Sequence, residues 1–393
     1  MMQIGIIGSG AMGAGIAQVA ATAGHDVILY DAREQALTTA RDQLRKTLDR
    51  LVEKGKWDVS TATAIFGRFY FASSLESMKD CGLVIEAIVE DEAIKRSVFV
   101  EVESIVGPQT ILASNTSSLS IASLAAACQR PERFIGIHFF NPAPIMPLVE
   151  IIPALQTDPG LPEKVIKLIR QWGKKPVLAK DTPGFIVNRI ARPYYSEAIR
   201  IYEEGLATMA EIDYIMKNRG GFRMGPFELM DFIGHDVNYA VTESVWRSCH
   251  FEPRYQPSFT QRRLVEAGWL GRKTGRGFYS YAPDNVPPTE PVPAPDRITS
   301  IFERILAMLI NEAADALYYR VANRDDIDLA MTSGVNYPKG LLVWADEWGI
   351  ARCEAVLDRL FNFYHEPRYR CSPGLRQKTM ECERFYPQND PNL

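Results

Sequence analysis

The sequence predicts an α/β domain built on a largely parallel sheet, followed by all-α domains present as two tandem copies. Three observations predict this. A glycine-rich turn, GIIGSGAMGAG from Gly5 to Gly15, joins the first apolar run to a helix. Short apolar runs of strand length then alternate with longer helical stretches as far as residue 180, the pattern of a sheet covered on both faces. Beyond Asp181 the strand signal stops, and a helical segment recurs at a shift of 115 residues, as a duplicated domain does.

In order, Gln3–Gly8 and Asp26–Asp31 read as strands around a helix from Met12 to about Ala23, and a second helix runs from Glu34 to about Lys54. Leu83–Ala87, Ile111–Ser114, Phe134–Phe139 and Leu148–Ile152 are the further strands, giving an N-terminal domain over 1–181. Helices dominate from Ile186 to about Ala267 and end in a basic, glycine-rich turn at Gly271–Gly277, so 182–282 is expected to form a helical domain. Pro283–Asp296 holds six prolines in fourteen residues and reads as a linker that would reach roughly 40 Å in polyproline II form. A diverged copy of the helical domain should occupy 297–393. Glu197-Ala198 falls on Glu312-Ala313, Ile212-Asp213 on Ile327-Asp328, Gly225 on Gly340, Asp231 on Asp346 and Gly234 on Gly349.

Bulk properties exclude several roles. The 393 residues, 46% hydrophobic and 23% charged, suit two or three ordinary globular domains. A net charge of -4 offers no basic footprint for nucleic acid. No apolar run is long enough for a membrane span, and Met1-Met2-Gln3 leads straight into the first strand, leaving no room for a leader. Cys81, Cys128, Cys249, Cys353, Cys371 and Cys382 form no C-x-x-C pair; reduced thiols, a cytoplasmic location and no metal site are expected.

The turn carries chemistry. Gly8, Gly10 and Gly13 form G-x-G-x-x-G where a strand passes into a helix. One glycine permits the tight turn, one lets backbone approach a pyrophosphate and one lets the helix pack against the sheet. The helix start at Ala11 and Met12 would present N–H groups to the phosphates. Asp31 ends the second strand, eighteen residues after Gly13, where a carboxylate can accept the ribose hydroxyls of NAD and would repel a 2′-phosphate by roughly 3 kcal/mol per unit charge. Arg33 could instead hold that phosphate, so NAD is expected and NADP is the lesser alternative.

SNTSSL (Ser114–Leu119), HFFNPAP (His138–Pro144) running to LVE (Leu148–Glu150), and DTPGFIVNR (Asp181–Arg189) complete the pattern. With the opening turn, they resemble the L-3-hydroxyacyl-CoA dehydrogenase family over nearly the whole chain. RIARPYYSEA, SGVNYP and the tandem helical copies look most like bacterial members of phenylacetate catabolism, which act on 3-hydroxyadipyl-CoA or similar short esters; those members separate their copies by a longer segment than this one. The resemblance implies an NAD-dependent enzyme of β-oxidation type, oxidising a short 3-hydroxyacyl-CoA such as 3-hydroxybutyryl-CoA. In it His138 is the general base, Glu150 orients His138, Ser117 bonds the substrate oxygen and Asn188 orients the reacting groups. Cofactor contacts would fall on Asp31, Glu90, Lys95, Ser117, Asn141 and Lys273. Coenzyme A contacts would fall on Lys54 and on Thr47, where the family has Ser. Single-copy relatives dimerise through the helical domain, so this chain would be either a monomer whose two copies imitate that contact or a homodimer.

The chemistry agrees with these roles, because oxidising a secondary alcohol needs a base that holds one proton near neutrality, and a carboxylate beside an imidazole fixes its tautomer. His138 and Glu150, twelve residues apart, can meet only if Phe134–Phe139 and Leu148–Ile152 are neighbouring strands. Blander readings stand beside these: a core histidine, a polar turn with a helix cap at Ser114–Ser118, a surface amide at Asn188, solvated lysines at Lys54 and Lys56, ordinary exposed charges at Glu90 and Lys95. Rival functions are a gulonate- or β-hydroxyacid-dehydrogenase-like enzyme, or a catalytically silent binding or structural protein on the same fold. Arg45, Arg192, Arg219 and Arg223 are all candidates to meet a second substrate carboxylate. The second copy places Glu303 where the first has Asn188, so one active site is expected, and the second copy is read as a packing domain.

Overall fold

The computed structural model describes residues 2–282 and 293–387. Two compact units result, Met1–Phe185 and Ile186–Leu393.

The first unit is an eight-stranded sheet in the order β3-β2-β1-β4-β5-β6-β7-β8. The strands are β1 Ile4–Ile7, β2 Val27–Tyr30, β3 Phe69–Ala72, β4 Leu83–Glu86, β5 Ile111–Ser114, β6 Phe134–Phe139, β7 Leu148–Pro153 and β8 Lys175–Leu178. Neighbours pair in parallel except β6 with β7. Strand order reverses between β1 and β4, the crevice where open α/β sheets bind ligands. β1 and β4 are buried along their whole length, as in sheets with helices on both faces. The core runs through Ile4, Ile6, Leu29, Ile85, Ile137 and Ile151, each contributing about 1.5–3 kcal/mol on full burial.

β3 and β8 are additional to the strands read from the sequence. Both are edge strands: Tyr70 is exposed, and β8 begins Lys175-Pro176 with Lys175 exposed. At β8, proline and charge are tolerated on the sheet edge and interrupt the continuous apolar run that marks inner parallel strands; β3 is only four residues, Phe69-Tyr70-Phe71-Ala72, whose aromatic side chains favour a strand. The unit also runs a few residues past 181. Asp181 accepts bonds from Ser120 Oγ and from the Ile121 and Ala122 N–H groups at 2.8–3.1 Å, which ties the start of the DTPGF segment to the first unit.

The second unit is helical and repeats one device twice. Asp213 accepts from the N–H groups of Phe227 and Glu228, and Asp328 from those of Leu342 and Val343, in each case near 3 Å. Gly225 and Gly340 precede these helices, and a Cβ on either would lie 2.3 Å from that aspartate's side chain. Asp231 accepts from Phe278 and Tyr279 N–H, Asp346 from Phe385 and Tyr386 N–H. Gly234 and Gly349 turn the chain with φ of 99° and 102°, a region that favours glycine.

The copies contact each other through helices Arg192–Glu203 and Pro295–Tyr318, and the contact is reciprocal. From the first copy, Arg189 Nε and the Tyr255 hydroxyl donate to Glu312. From the second, Arg304 Nε and the Tyr369 hydroxyl donate to Glu197, both at 3.0 Å. Burial opposes ionisation of Glu197, but the guanidiniums of Arg200, Arg304 and Arg368 outweigh it and hold the carboxyl at about 2.

Of the proline-rich segment, 283–292 lies outside the described residues. Its last two positions are corrected: Pro295 and Asp296 form the first turn of helix Pro295–Tyr318, because proline at N1 gives up no bond and an aspartate there suits the helix dipole.

Candidate active site

The glycine turn sits at the carboxyl end of β1, in the crevice between β1 and β4. Gly8 has φ of 98°, and a Cβ on it would lie 2.6 Å from the Ala87 carbonyl oxygen. A Cβ on Gly13 would lie 1.8 Å from the Gly8 carbonyl oxygen, so only glycine lets helix Ala11–Thr22 approach so near. Over Gly10 there is nothing within 4 Å, and no side chain caps the helix that starts at Ala11 and Met12. That open cradle before uncapped N–H groups fits a pyrophosphate. Asp31, just past β2, accepts from Ser9 N–H at 2.8 Å, Ser9 Oγ at 2.9 Å and Arg33 N–H at 3.0 Å. Burial works against its ionisation, but the Ser9 and Arg33 N–H bonds prevail and hold the carboxyl below the usual range. The Arg33 guanidinium lies 3.5 Å from Asp31 and is largely exposed.

Beyond β4 lies a buried polar network. Glu86 Oε1 accepts from Lys95 Nζ at 2.5 Å and Ile88 N–H at 2.7 Å, and its Oε2 from Ser114 Oγ at 2.6 Å. Lys95 also meets Glu90 Oε2 at 3.2 Å. It is therefore no ordinary exposed charge: its side chain is 1% exposed, with its ammonium held by carboxylates. Glu90 Oε1 accepts from Thr116 Oγ1 at 2.6 Å, Ser118 Oγ at 2.9 Å and Ser117 N–H at 3.0 Å. Burial raises the Glu90 carboxyl, but Lys95 and these bonds more than offset it. Glu90 thus shapes the SNTSSL turn that carries Ser117. Asn115 Oδ1 accepts from Phe139 N–H at 2.8 Å, tying the ends of β5 and β6.

β6 and β7 are neighbours, and His138 stands directly opposite Glu150 in their register. His138 Nδ1 and Glu150 Oε2 are 2.7 Å apart, both side chains buried. With Nδ1 donating to the carboxylate, Nε2 is the nitrogen able to accept a proton. Phe140 and Phe185 flank the ring, with centroids at 4.6 and 5.9 Å. Asn141 follows, exposed and joined to Pro142 by a cis peptide. Lys174 donates to the Ala143 and Met146 carbonyls at 2.5 and 2.9 Å, and burial pulls its ammonium below the usual lysine range. It braces the HFFNPAP loop, a role its sequence neighbourhood, Gly173-Lys174-Lys175, does not announce.

Thr47 and Lys54, on and just past helix Glu34–Glu53, line a groove of about 690 Å³ with Lys56, Trp57, Pro144 and Ile145. Thr47 Oγ1 donates to Gln43 O at 2.8 Å. The groove's lining mixes aliphatic, indole and cationic side chains. Trp57 escapes sequence reading because it stands alone after Lys54-Gly55-Lys56.

The other expected residues belong to the second unit. Asn188 lies on the short helix Val187–Ile190, where its backbone carbonyl accepts from Arg192 Nε at 3.0 Å. Lys273 lies in the turn Arg272–Thr274 and pairs with Asp236 at 2.5 Å. In the second copy, Glu303 accepts from Arg352 at 2.5 Å, so an ion pair occupies the position equivalent to Asn188.

A dinucleotide cradle at a sheet switch point and a carboxylate-held histidine near the carboxyl end of β6 in the same sheet define a nicotinamide-dependent dehydrogenase of hydroxyl groups. The chain belongs to the 3-hydroxyacyl-CoA dehydrogenase family: the family's NAD binding domain matches residues 3–182, and its C-terminal domain matches 184–281 and 301–384. Among curated relatives, it is 37% identical, over an alignment 461 positions long with its gaps, to the 3-hydroxyadipyl-CoA dehydrogenase of Escherichia coli K12, covering 96% of this chain and 97% of that protein. It is 45% identical over 280 residues to the probable 3-hydroxybutyryl-CoA dehydrogenase of Deinococcus radiodurans, covering 71% of this chain and 100% of that one. The crystal structure of a 3-hydroxybutyryl-CoA dehydrogenase from Escherichia coli K12 superposes with a TM-score of 0.91 at 37% identity, covering 97% of this chain and 98% of that chain.

Proposed function

We propose that this protein oxidises the C3 hydroxyl of short L-3-hydroxyacyl-CoA esters, 3-hydroxybutyryl- or 3-hydroxyadipyl-CoA, to the 3-oxoacyl esters. NAD, when bound, supplies the hydride acceptor. Gly8, Gly10, Ala11, Met12, Gly13 and Asp31 would hold it, with Glu90, Lys95, Ser117, Asn141 and Lys273 as further contacts. Thr47 and Lys54 would hold the coenzyme A arm.

The observation that carries the reading is the buried His138–Glu150 pair at 2.7 Å. His138 Nε2 takes the hydroxyl proton as C3 loses hydride and the C3–O bond becomes a carbonyl. Glu150 fixes the tautomer and stabilises the imidazolium that forms. Ser117 bonds the substrate oxygen and Asn188 orients the reacting groups. The test is NADH formation from 3-hydroxybutyryl-, 3-hydroxyhexanoyl- and 3-hydroxyadipyl-CoA, with His138→Ala beside the wild type. Turnover should collapse in the variant by about 10²–10⁴-fold while NAD still binds. Near-normal turnover by the variant would overturn the assignment, and wild-type protein that binds NAD but turns over no ester would favour the silent reading.

We also propose that the two helical copies form a pseudo-dimer in cis, so that one chain is a complete enzyme. The reciprocal Arg189–Glu312 and Arg304–Glu197 pairs support this. Sedimentation of the full chain should give a monomer; a stable dimer would refute it. The six cysteines are all free thiols, which supports a cytoplasmic location.

A further inference from the structure

Within the helical unit, a cavity of about 310 Å³ is lined by Arg192, Arg200, Ser196, Thr242 and Ser258 of the first copy and by Arg368 of the second. Arg192 is 4% exposed. Its Nε donates to the Asn188 carbonyl, and its Nη1 to Thr242 Oγ1 at 2.9 Å and the Asn238 carbonyl at 3.4 Å. Tyr195 packs beneath it with the guanidinium 4.8 Å from the ring centre. All these partners are neutral, and among the described residues no carboxylate pairs with Arg192. A buried charge in that condition is costly unless something compensates it.

The carboxylates nearby are otherwise engaged. Glu197 accepts from Arg200, Arg304 and Tyr369. Glu204, on the cavity wall, accepts from Arg304 and Tyr364. Glu203, also on the wall, accepts from Thr260. Arg368 pairs with Glu366, and its Nε is buried with no partner.

The internal repeat supplies an independent comparison. At the shift of 115 residues, Arg192 falls on Ala307 and Arg200 on Asp315. The two EPRY segments likewise make Arg254 the counterpart of Arg368. In the second copy's half of the contact, Arg254 reaches across and meets Asp315 at 2.5 Å and Glu312 at 3.0 Å. In the first copy's half, the arginine that reaches across shares its cavity with Arg200 and Arg192 where the other half has an aspartate and an alanine. One half is closed by its own carboxylate. The other keeps a cavity, a surplus of guanidinium and a rim of hydroxyls.

We propose that this cavity is a binding site for a small oxyanion, a carboxylate or phosphate group bridging Arg192 and Arg200 of the first copy to Arg368 of the second. Such a ligand supplies the charge that Asp315 supplies in the other half, and binding it strengthens the contact between the copies. The test is thermal unfolding of the full chain against increasing sodium phosphate and, separately, sodium adipate, at ionic strength matched with sodium chloride. A saturable rise in Tm is expected with at least one, and the pair distinguishes a phosphate from a carboxylate preference. In Arg192→Ala the affinity should fall at least about tenfold, as loss of a charged hydrogen bond implies. Arg200→Asp, which copies Asp315 of the second half, should remove the response while leaving the protein folded, and it carries the test if Arg192→Ala is too unstable to measure. No saturable rise with either anion, or an undiminished rise in Arg200→Asp, would overturn the proposal.

Discussion

Replacing Glu150 by glutamine tests the proposed chemistry most directly, because it keeps the shape of the pair and removes only its charge. The carboxylate oxygen lies 2.7 Å from His138 Nδ1, and Glu150 is fully buried. When Nε2 takes the substrate proton, the imidazolium and carboxylate charges are centred about 4 Å apart, worth about 4 kcal/mol at an effective dielectric near 20. This stabilisation develops as the proton moves, so it acts on the transition state and not on the bound ester. Converted to rate, it is about 10³-fold in kcat. KM for the ester and Kd for NAD should each change less than about threefold, since neither ground state contains the imidazolium. Steady-state NADH formation with 3-hydroxybutyryl-CoA gives kcat and KM, and titration calorimetry gives Kd. Glu150→Gln retaining a third or more of wild-type kcat would show that the carboxylate does not support the proton transfer, and the assignment of His138 would lose its main physical support.

Other expectations follow from the geometry. Gly13→Ala puts a methyl 1.8 Å from the Gly8 carbonyl oxygen; overpacking of this kind costs about 1–3 kcal/mol, so Tm should fall and calorimetry should show weakened NAD binding. Lys54→Ala should raise KM for the CoA ester about fivefold with kcat nearly unchanged, and an acyl-pantetheine lacking the nucleotide should not sense the change. Glu197 is ordinarily a carboxyl of 4.5 and is held at about 2 in the folded chain. A depressed carboxyl stabilises above its unfolded value and loses that contribution as pH falls through the folded one. The linkage is about 3 kcal/mol. Denaturant unfolding should therefore show Glu197→Gln less stable than wild type at neutral pH, with the gap closing between pH 4.5 and about 2; a gap that does not vary with pH would refute the charge argument.

What the sequence disclosed depended on whether a residue's partners can be named without knowing how the sheet and helices pack. The G-x-G-x-x-G turn and Asp31 are one strand-helix-strand unit, and the crowding at Gly13 is decided within it by the Gly8 carbonyl, whereas Gly8 is crowded from outside it by Ala87 at the end of β4. His138 and Glu150 were nameable, but their meeting hung on β6 and β7 being adjacent, which only the sheet order supplies. Lys95 shows the opposite case. In Glu92-Ala93-Ile94-Lys95 it looks like a solvated helix charge, yet the helix turns it back onto Glu86, nine residues earlier at the end of β4, and burial follows from how that helix packs on the sheet. Lys174 is hidden likewise, because the carbonyls it holds are 28 and 31 residues away. β8 is hidden because an edge strand tolerates a Lys175-Pro176 start that an inner strand would not, whereas β3 is signalled only by the four residues Phe69–Ala72.

The duplicated helical domain carries the same reasoning further. A contact made by two equivalent surfaces is self-complementary, so each residue is used twice under one constraint. After duplication within one chain, the two uses can diverge. Arg189 and Arg304 both persist, as do Tyr255 and Tyr369, because each closes one half of the reciprocal contact. Asn188 has no counterpart to preserve: Glu303 stands at its equivalent position and pairs with Arg352. Positions that serve packing are held in both copies, while a position proposed to serve chemistry survives only in the copy that follows the dinucleotide-binding unit. The same freedom allowed Asp315 and Arg200 to take opposite charges, so a symmetric contact became one closed half and one half with a cavity.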